Sequence, residues 1–514
     1  MISSSGAGDI FWLRPFMDIL DEITYPPKIN IEKTGKLNKH FPRGAAFFFK
    51  IPGNPMPTSR ELPRSLTRFD AAMIIVGNMI GIGIFTTTGY YAEYLDAPAT
   101  LLVVWLLGGV YAFCGALTYA ELATRFPHAG GDYIYLTRAY HPLMGFLFGW
   151  STFTVTYTGS IAAIAIGFAY YFARLLPPAV QSWEVSLGGT PVSLSTINII
   201  AIGVTFLLTY LNSRGIQAGK RFQNFFSVLG MVTLAGFILV GFFSGKGDPA
   251  HFHPFWPAHI DAGQISRAAV ALIGIIFTYS GWTSIVYIAG EVRRPRRNIP
   301  TAMATAVIAV TFLYLLMNAV YLYALPLTQM SGNVEIGYRV LQVLVEKRVG
   351  LAFSLIIMVM VLSTLNATVL SGARIYYAMA REGRFFPPAA KLHPQHRVPA
   401  NSLWMQFAWA GGLMLLGTFN TLLTYSVFVM VLFSALAGLA LFVLRWRERR
   451  RATSSPEVYL VTGFPVVPLI YLLISGYVML NTLVHRPGES LWGVGAVLSG
   501  IPFYFLFRWW HRRK

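Results

Sequence analysis

Two short stretches carry the residues able to do chemistry, and that chemistry is binding by the main chain. The first is Val76-Gly77-Asn78-Met79-Ile80-Gly81-Ile82-Gly83-Ile84-Phe85, inside an apolar run from Phe69 to Leu95. Glycine weakens a helix interior by roughly 0.5–1 kcal/mol relative to alanine. Three glycines in seven residues therefore predict an unwound turn at Gly81-Ile82-Gly83. A membrane span tolerates such a turn only where the freed backbone faces protein or a water-filled cavity. Gly77 and Gly81 also fit small-xxx-small spacing, so close helix packing is the competing explanation. The second stretch, Phe277-Thr278-Tyr279-Ser280-Gly281-Trp282-Thr283-Ser284, interrupts another apolar run with small and hydroxyl residues.

An unwound helix exposes unpaired N–H groups with partial positive charge on one side and unpaired C=O groups with partial negative charge on the other. Donors around Gly81 to Phe85 suit a carboxylate, and carbonyls near Phe277, Thr278 and Ser280 suit an ammonium. A zwitterion fits that pairing. No Asp, Glu, Lys or Arg lies between Asp70 and Glu93 or between Arg267 and Glu291. A charge at the bilayer centre costs roughly 2.5–3.5 kcal/mol, so the pattern favours neutral amino acids over ionised side chains.

The elements that position these stretches are membrane helices. Of the 514 residues 55% are hydrophobic and only 12% charged, with mean hydropathy +0.55, where soluble proteins carry about 25% charged residues. Apolar runs of about 20 residues predict twelve spans: 69–95, 99–123, 143–174, 193–212, 218–244, 266–291, 299–325, 350–380, 401–418, 422–444, 463–484 and 491–510. The interrupted spans are the first and the sixth. Five is odd, so a second five-helix copy enters the membrane upside down, and spans 1–5 and 6–10 form a candidate inverted repeat. The expected organisation is a tail at 1–68, a core at 69–446, and spans 11 and 12 with a basic terminus at 447–514.

The net charge of +19 is a topology signal, not a nucleic-acid footprint. With the amino terminus inside, 33 of the 40 Lys and Arg fall on the cytoplasmic side, as the positive-inside rule requires. Both termini are then cytoplasmic, in a cell (inner or plasma) membrane. The tail lacks a continuous apolar core, so no cleavable signal peptide is expected. Met56 opens a more ordinary start, leaving open whether residues 1–55 belong to the natural protein. His251, His253 and His259 lack a carboxylate or cysteine at ordinary metal-ligand spacing and read as a solvated loop. Glu121, Glu291 and Arg374 stand at inner helix ends, where salt bridges are expected ahead of a proton relay. Tyr321 is placed to touch the first interruption or simply to satisfy a neighbour.

At these residues the sequence resembles the amino acid–polyamine–organocation superfamily, and within it the L-type amino acid transporter group, over nearly all of 63–511. The resemblance rests on Gly81-Ile82-Gly83-Ile84-Phe85, on Phe277 to Trp282 continuing to Glu291-Val292-Arg293-Arg294-Pro295, on Ala380-Arg381-Glu382-Gly383-Arg384-Phe385, and on Gly463-Phe464-Pro465. It implies an all-α leucine-transporter-type fold with a 5+5 inverted repeat and broken helices 1 and 6. The implied substrate site comprises Ile80, Gly81, Ile82, Gly83, Phe277, Thr278, Ser280, Trp282 and Thr283. In it Phe277 is an aromatic lid and Trp282 stands beside the side-chain pocket. Ile82 replaces a serine common in relatives, and Thr283 an asparagine found in some. Gly230 stands where sodium-independent relatives carry a lysine, so a coupling slot near Gly77, Gly230 and Thr364 holds Na⁺, water or nothing.

The expected activity is secondary transport of neutral L-amino acids by alternating access, without a cofactor and with exchange, H⁺ or Na⁺ as coupling modes. Alternatives are a cationic amino acid or polyamine permease, which would want an acidic residue in the lining, and a non-transporting amino acid receptor. No nucleophile–base set or metal cluster points to an enzyme. The one cysteine, Cys114, lies in an apolar run, so the disulfide-linked glycoprotein partner of animal members is not expected.

Overall fold

The computed structural model describes residues 64 and 66–512, except 128–129, 178–179, 181–182, 187–192, 215–219, 346, 397, 418 and 452–457. The tail up to residue 63, with Met56, lies outside the described residues, as does the middle of the basic turn expected at 212–221. Almost everything described is helical; a two-stranded antiparallel ribbon pairs Glu184–Ser186 with Ser193–Ser195.

The first interrupted span consists of α1 (Arg68–Met79) and α2 (Gly83–Tyr91). The long helix α3 (Pro98–Arg125) is followed by the short α4 (Asp132–Ala139). Next come α5 (Pro142–Ser151), a π-helical turn at Thr152–Thr156, and α6 (Tyr157–Ala173). Helices α7 (Thr196–Ser213) and α8 (Lys220–Phe243) complete the first half. The second half opens with α9 (Ala262–Tyr279), which passes into a 3₁₀ segment at Ser280–Glu291, then α10 (Pro295–Ala324) and the short α11 (Ile336–Leu344). Helices α12 (Lys347–Arg381), α13 (Ala400–Leu416), α14 (Phe419–Arg451), α15 (Val466–His485) and α16 (Pro487–Arg512) follow.

Among the described residues eleven segments are long and apolar enough to cross a membrane. They coincide with eleven of the twelve expected runs. The remaining run, 401–418, is α13 with 17 residues, about 25 Å of helix against a hydrocarbon core of about 30 Å. Large apolar side chains such as Val232, Leu473 and Trp492 are left exposed, which is tolerable in lipid and not in water.

Local chemistry fixes where the interrupted spans begin. Thr67 caps α1: its hydroxyl accepts the Asp70 N–H at 3.2 Å, and the Asp70 carboxylate accepts the Thr67 N–H at 2.9 Å. Asp261 and Gln264 make the same reciprocal box at the start of α9. Each box satisfies two N–H groups that no helical carbonyl can reach. Just before α1, Leu66 pairs with Val292 in a parallel bridge, through Leu66 N–H to the Glu291 carbonyl at 3.0 Å and Arg293 N–H to the Leu66 carbonyl at 2.9 Å.

The arginine-rich end is tied by Glu121, which is fully buried at the end of α3. Its carboxylate accepts Arg125 Nη2 at 2.6 Å, Arg445 Nε at 2.8 Å and the Val461 N–H at 2.7 Å. Burial of a carboxylate is tolerable only with such complete pairing, and a salt bridge is present at Glu121. Glu291 contributes its backbone carbonyl to the Leu66 bridge instead.

The first and sixth spans approach each other closely in the core. A Cβ on Gly281 would stand 2.3 Å from the Asn78 carbonyl carbon and 2.4 Å from the Met79 nitrogen, both rigid backbone atoms. Gly281→Ala should lower stability by about 1–3 kcal/mol, whereas Gly236→Ala, with open space around it, should not. Thermal melting of the purified protein in detergent measures both; equal melting temperatures would remove the close approach as a structural requirement.

Candidate functional site

Regular helix stops at Met79 and resumes at Gly83. Ile80 adopts extended geometry, φ −77° and ψ 91°, which turns the chain out of the helical path. Phe85 N–H already donates to the Ile82 carbonyl at 3.0 Å, and the N–H groups of Gly83 and Ile84 precede any carbonyl of α2 one turn back. Three buried tyrosines satisfy carbonyls around the turn. Tyr314 donates to the Met79 carbonyl at 2.6 Å, Tyr321 to Ile84 at 3.1 Å and Tyr171 to Phe85 at 2.8 Å. Tyr321 thus does reach the edge of the interruption.

The sixth span changes from α to 3₁₀ geometry at Ser280. Ser280 donates to the Phe277 carbonyl through its N–H and, at 2.7 Å, through its hydroxyl. The Ser280 carbonyl accepts the Thr283 hydroxyl at 3.2 Å. Two of the carbonyls expected to receive an ammonium are thus already bonded within the segment. The Phe277 oxygen is fully engaged, and the Ser280 oxygen takes the Thr283 hydroxyl at the start of the 3₁₀ helix.

A cavity of about 140 Å³ lies between the two interruptions, room for about ten water molecules. Gly81, Ile82, Gly83, Phe277, Thr278, Ser280 and Thr283 all line it. Ile80 and Trp282 do not. Ile80 points the other way, its Cγ2 3.3 Å from where a Gly230 Cβ would sit. Trp282 is buried against Tyr119 with ring centroids 5.0 Å apart, one layer behind the lining. Of the three coupling candidates only Thr364 reaches the cavity, beside Gly81. The space next to Gly230 is bounded by the methyl groups of Ile80 and Met360.

The structure also brings in residues that the sequence did not single out. Thr152 and Thr156 come from the π-helical turn, and Thr368 and Ser371 from α12, beside Thr364. Eleven Ser and Thr residues line the cavity against one carboxylate, Asp132, so the surface solvates a polar solute without a matching net charge. Asp132 enters from α4 and accepts hydroxyls from Tyr119 at 2.5 Å and Tyr287 at 2.8 Å. A run of alternating threonines, Thr152-Phe153-Thr154-Val155-Thr156, was the available signal for the π turn, since π turns concentrate at functional sites. No comparable signal marks Asp132, which lies outside the apolar runs.

These elements define a class, a multi-span helical membrane protein with a polar cavity at paired helix interruptions. A family model described as amino acid permease matches residues 66–501. The chain belongs to that amino acid permease family, in the amino acid–polyamine–organocation superfamily and its L-type group, and is a transporter, not an enzyme. It is 30% identical over 470 residues to Asc-type amino acid transporter 1 of Mus musculus, covering 88% of this chain and 82% of the relative. It is 29% identical over 460 residues to b(0,+)-type amino acid transporter 1 of Homo sapiens, covering 88% and 89%. It is 29% identical over 462 residues to large neutral amino acids transporter small subunit 2 of Rattus norvegicus, covering 88% and 82%.

Gly83 offers a direct test of the lining. A Cβ there would meet the Thr278 side chain at 2.5 Å, so Gly83→Ala should weaken amino acid binding by about tenfold. Adding Thr278→Ala should recover part of the loss. Ligand-induced thermal shifts measure both; an unchanged shift in Gly83→Ala would place the solute elsewhere.

Proposed function

We propose that the chain moves neutral L-amino acids across the membrane by alternating access, as a secondary transporter of the leucine-transporter type. The observation that carries this is the cavity between the turn at Ile80–Ile82 and the α-to-3₁₀ change at Ser280, with no charged side chain on either span between Asp70 and Glu93 or Arg267 and Glu291. In this reading the substrate carboxylate meets the N–H groups at the start of α2 and its ammonium meets the 3₁₀ segment. The side chain lies toward Phe277 and the apolar wall from α6 and α14.

The same reading takes α13 as the ninth of twelve spans and spans 1–5 and 6–10 as inverted repeats. The arginine-rich end faces the cytoplasm of a cell membrane, with both termini on that side. Hard cations take oxygen ligands, and the methyl groups beside Gly230 supply none, so transport is sodium-independent. Cys114 is buried in α3, which supports a carrier without a disulfide-linked partner, although the rat relative is named a small subunit. Because both Asp132 oxygens are engaged by tyrosine hydroxyls, a cationic substrate is the second choice.

Purified protein in liposomes, loaded with unlabelled amino acid, should take up labelled neutral amino acids and leave labelled arginine and glutamate outside. Removing Na⁺ should change the rate by less than about twofold. Gly81→Leu, forced against Thr364 at 3.0 Å, should abolish uptake. Preferential arginine uptake would replace the neutral substrate by the cationic one, and full activity of Gly81→Leu would move the site.

A further inference from the structure

One carboxylate among the described cavity residues is left without a part in substrate binding: Asp132. It is 4% exposed, at the arginine-rich end of the cavity. Gly130 and Gly131 precede it with φ of 136° and 47°, conformations that L side chains rarely adopt. A Cβ on Gly131 would stand 2.8 Å from the Tyr287 ring. The glycine turn therefore lets α4 press its first residue beneath the 3₁₀ segment.

Asp132 bonds two different elements at once. Its Oδ1 accepts the Tyr119 hydroxyl from α3, and its Oδ2 accepts the Tyr287 hydroxyl from the 3₁₀ segment. The other titratable groups that act on it are also tyrosines: Tyr135 on its own helix, Tyr157 on α6 and Tyr471 on α15. No guanidinium or ammonium contributes to holding its charge among the described residues. Burial pushes the Asp132 carboxyl up to about 6, although both hydroxyl bonds favour the ionised form.

The carboxylate is an acceptor at both oxygens. The protonated acid carries a donor on one of them, so an acceptor position beside one tyrosine hydroxyl is lost to the proton. The remaining contacts also lose the strength that charge gives them. Protonation thus loosens a tie between α3 and the half of the sixth span that lies beyond its interruption.

Resting on the transporter reading above, we propose that Asp132 is a proton-binding site whose occupancy sets the hold of the Tyr287 segment on α3, making the transport cycle sensitive to pH. The Asp132 acid form is the loosened state and the carboxylate the latched one.

The test is exchange of labelled leucine by the full-length protein in liposomes, with equal pH on both sides, between about pH 5 and 8. The wild type should show a step in rate of about threefold or more, the worth of one net hydrogen bond, centred near pH 6. Asp132→Asn should lose the step whatever its absolute rate, and Tyr287→Phe, removing one bond that favours the charge, should move the midpoint up. An unaltered step in Asp132→Asn overturns the assignment. Infrared difference spectroscopy of the detergent-purified protein reads the proton independently of transport. A protonated-carboxyl band that grows in near pH 6 in the wild type, and is absent from Asp132→Asn, supports the site. Its absence from the wild type overturns it. If leucine and the other neutral amino acids are not exchanged at any pH, the transport proposal fails while the infrared titration still decides the proton site. Where Asp132→Asn does not fold, Tyr287→Phe decides by the same infrared midpoint: an upward move supports the site and an unmoved midpoint overturns it.

Discussion

Hydrocarbon offers no hydrogen bonds, so a helix that opens inside a bilayer must find partners for its backbone within the protein. Much of this structure follows from that constraint. The first span opens between Met79 and Gly83, and tyrosines from α10 and α6 supply hydroxyls to the Met79, Ile84 and Phe85 carbonyls. Tyr314 is itself fixed by aromatic contacts with Trp105 and Tyr279, at centroid distances of 5.4 and 5.1 Å. Gly281 then brings the second interruption against the backbone of the first. What remains between them is a small volume with polar walls, and polarity buried at that depth suits a solute that carries both signs of charge.

The end of regular helix at Met79 was legible because glycine is costly in a helix and charged residues are missing there; at the sixth span the structure changes from α to 3₁₀ at Ser280 without unwinding. Span positions were legible from length and apolarity alone. Side-chain directions at the second interruption were not. The resemblance placed both Trp282 and Thr283 at the solute. The 3₁₀ segment advances about 120° per residue, so Ser280 and Thr283 share the cavity face while Trp282 turns toward Gly115 and Tyr119. Ile80 was misplaced for a similar reason: its extended backbone aims the side chain at Gly230, away from Gly81. Asp132 was invisible as a lining residue because only tertiary packing carries α4 beneath Tyr287.

Polar character is spread unevenly around the cavity. Near the interruptions it comes from backbone ends and hydroxyls, which can rearrange around solutes of different shape. Towards the arginine-rich end it becomes ionic, first at Asp132 with its tyrosines and then at Glu121 with two arginines. The two acids differ in company. Glu121 faces two arginines, whereas the side chains bonded to Asp132 are tyrosine hydroxyls.

The parallel bridge between Leu66 and Val292 joins points 226 positions apart in the chain, one before the first span and one after the sixth. Two hydrogen bonds at that seam yoke the ends of both interrupted spans into a single lever. A displacement of Leu66 at the head of α1 is therefore passed directly to the end of the 3₁₀ segment, without passing through the cavity at all.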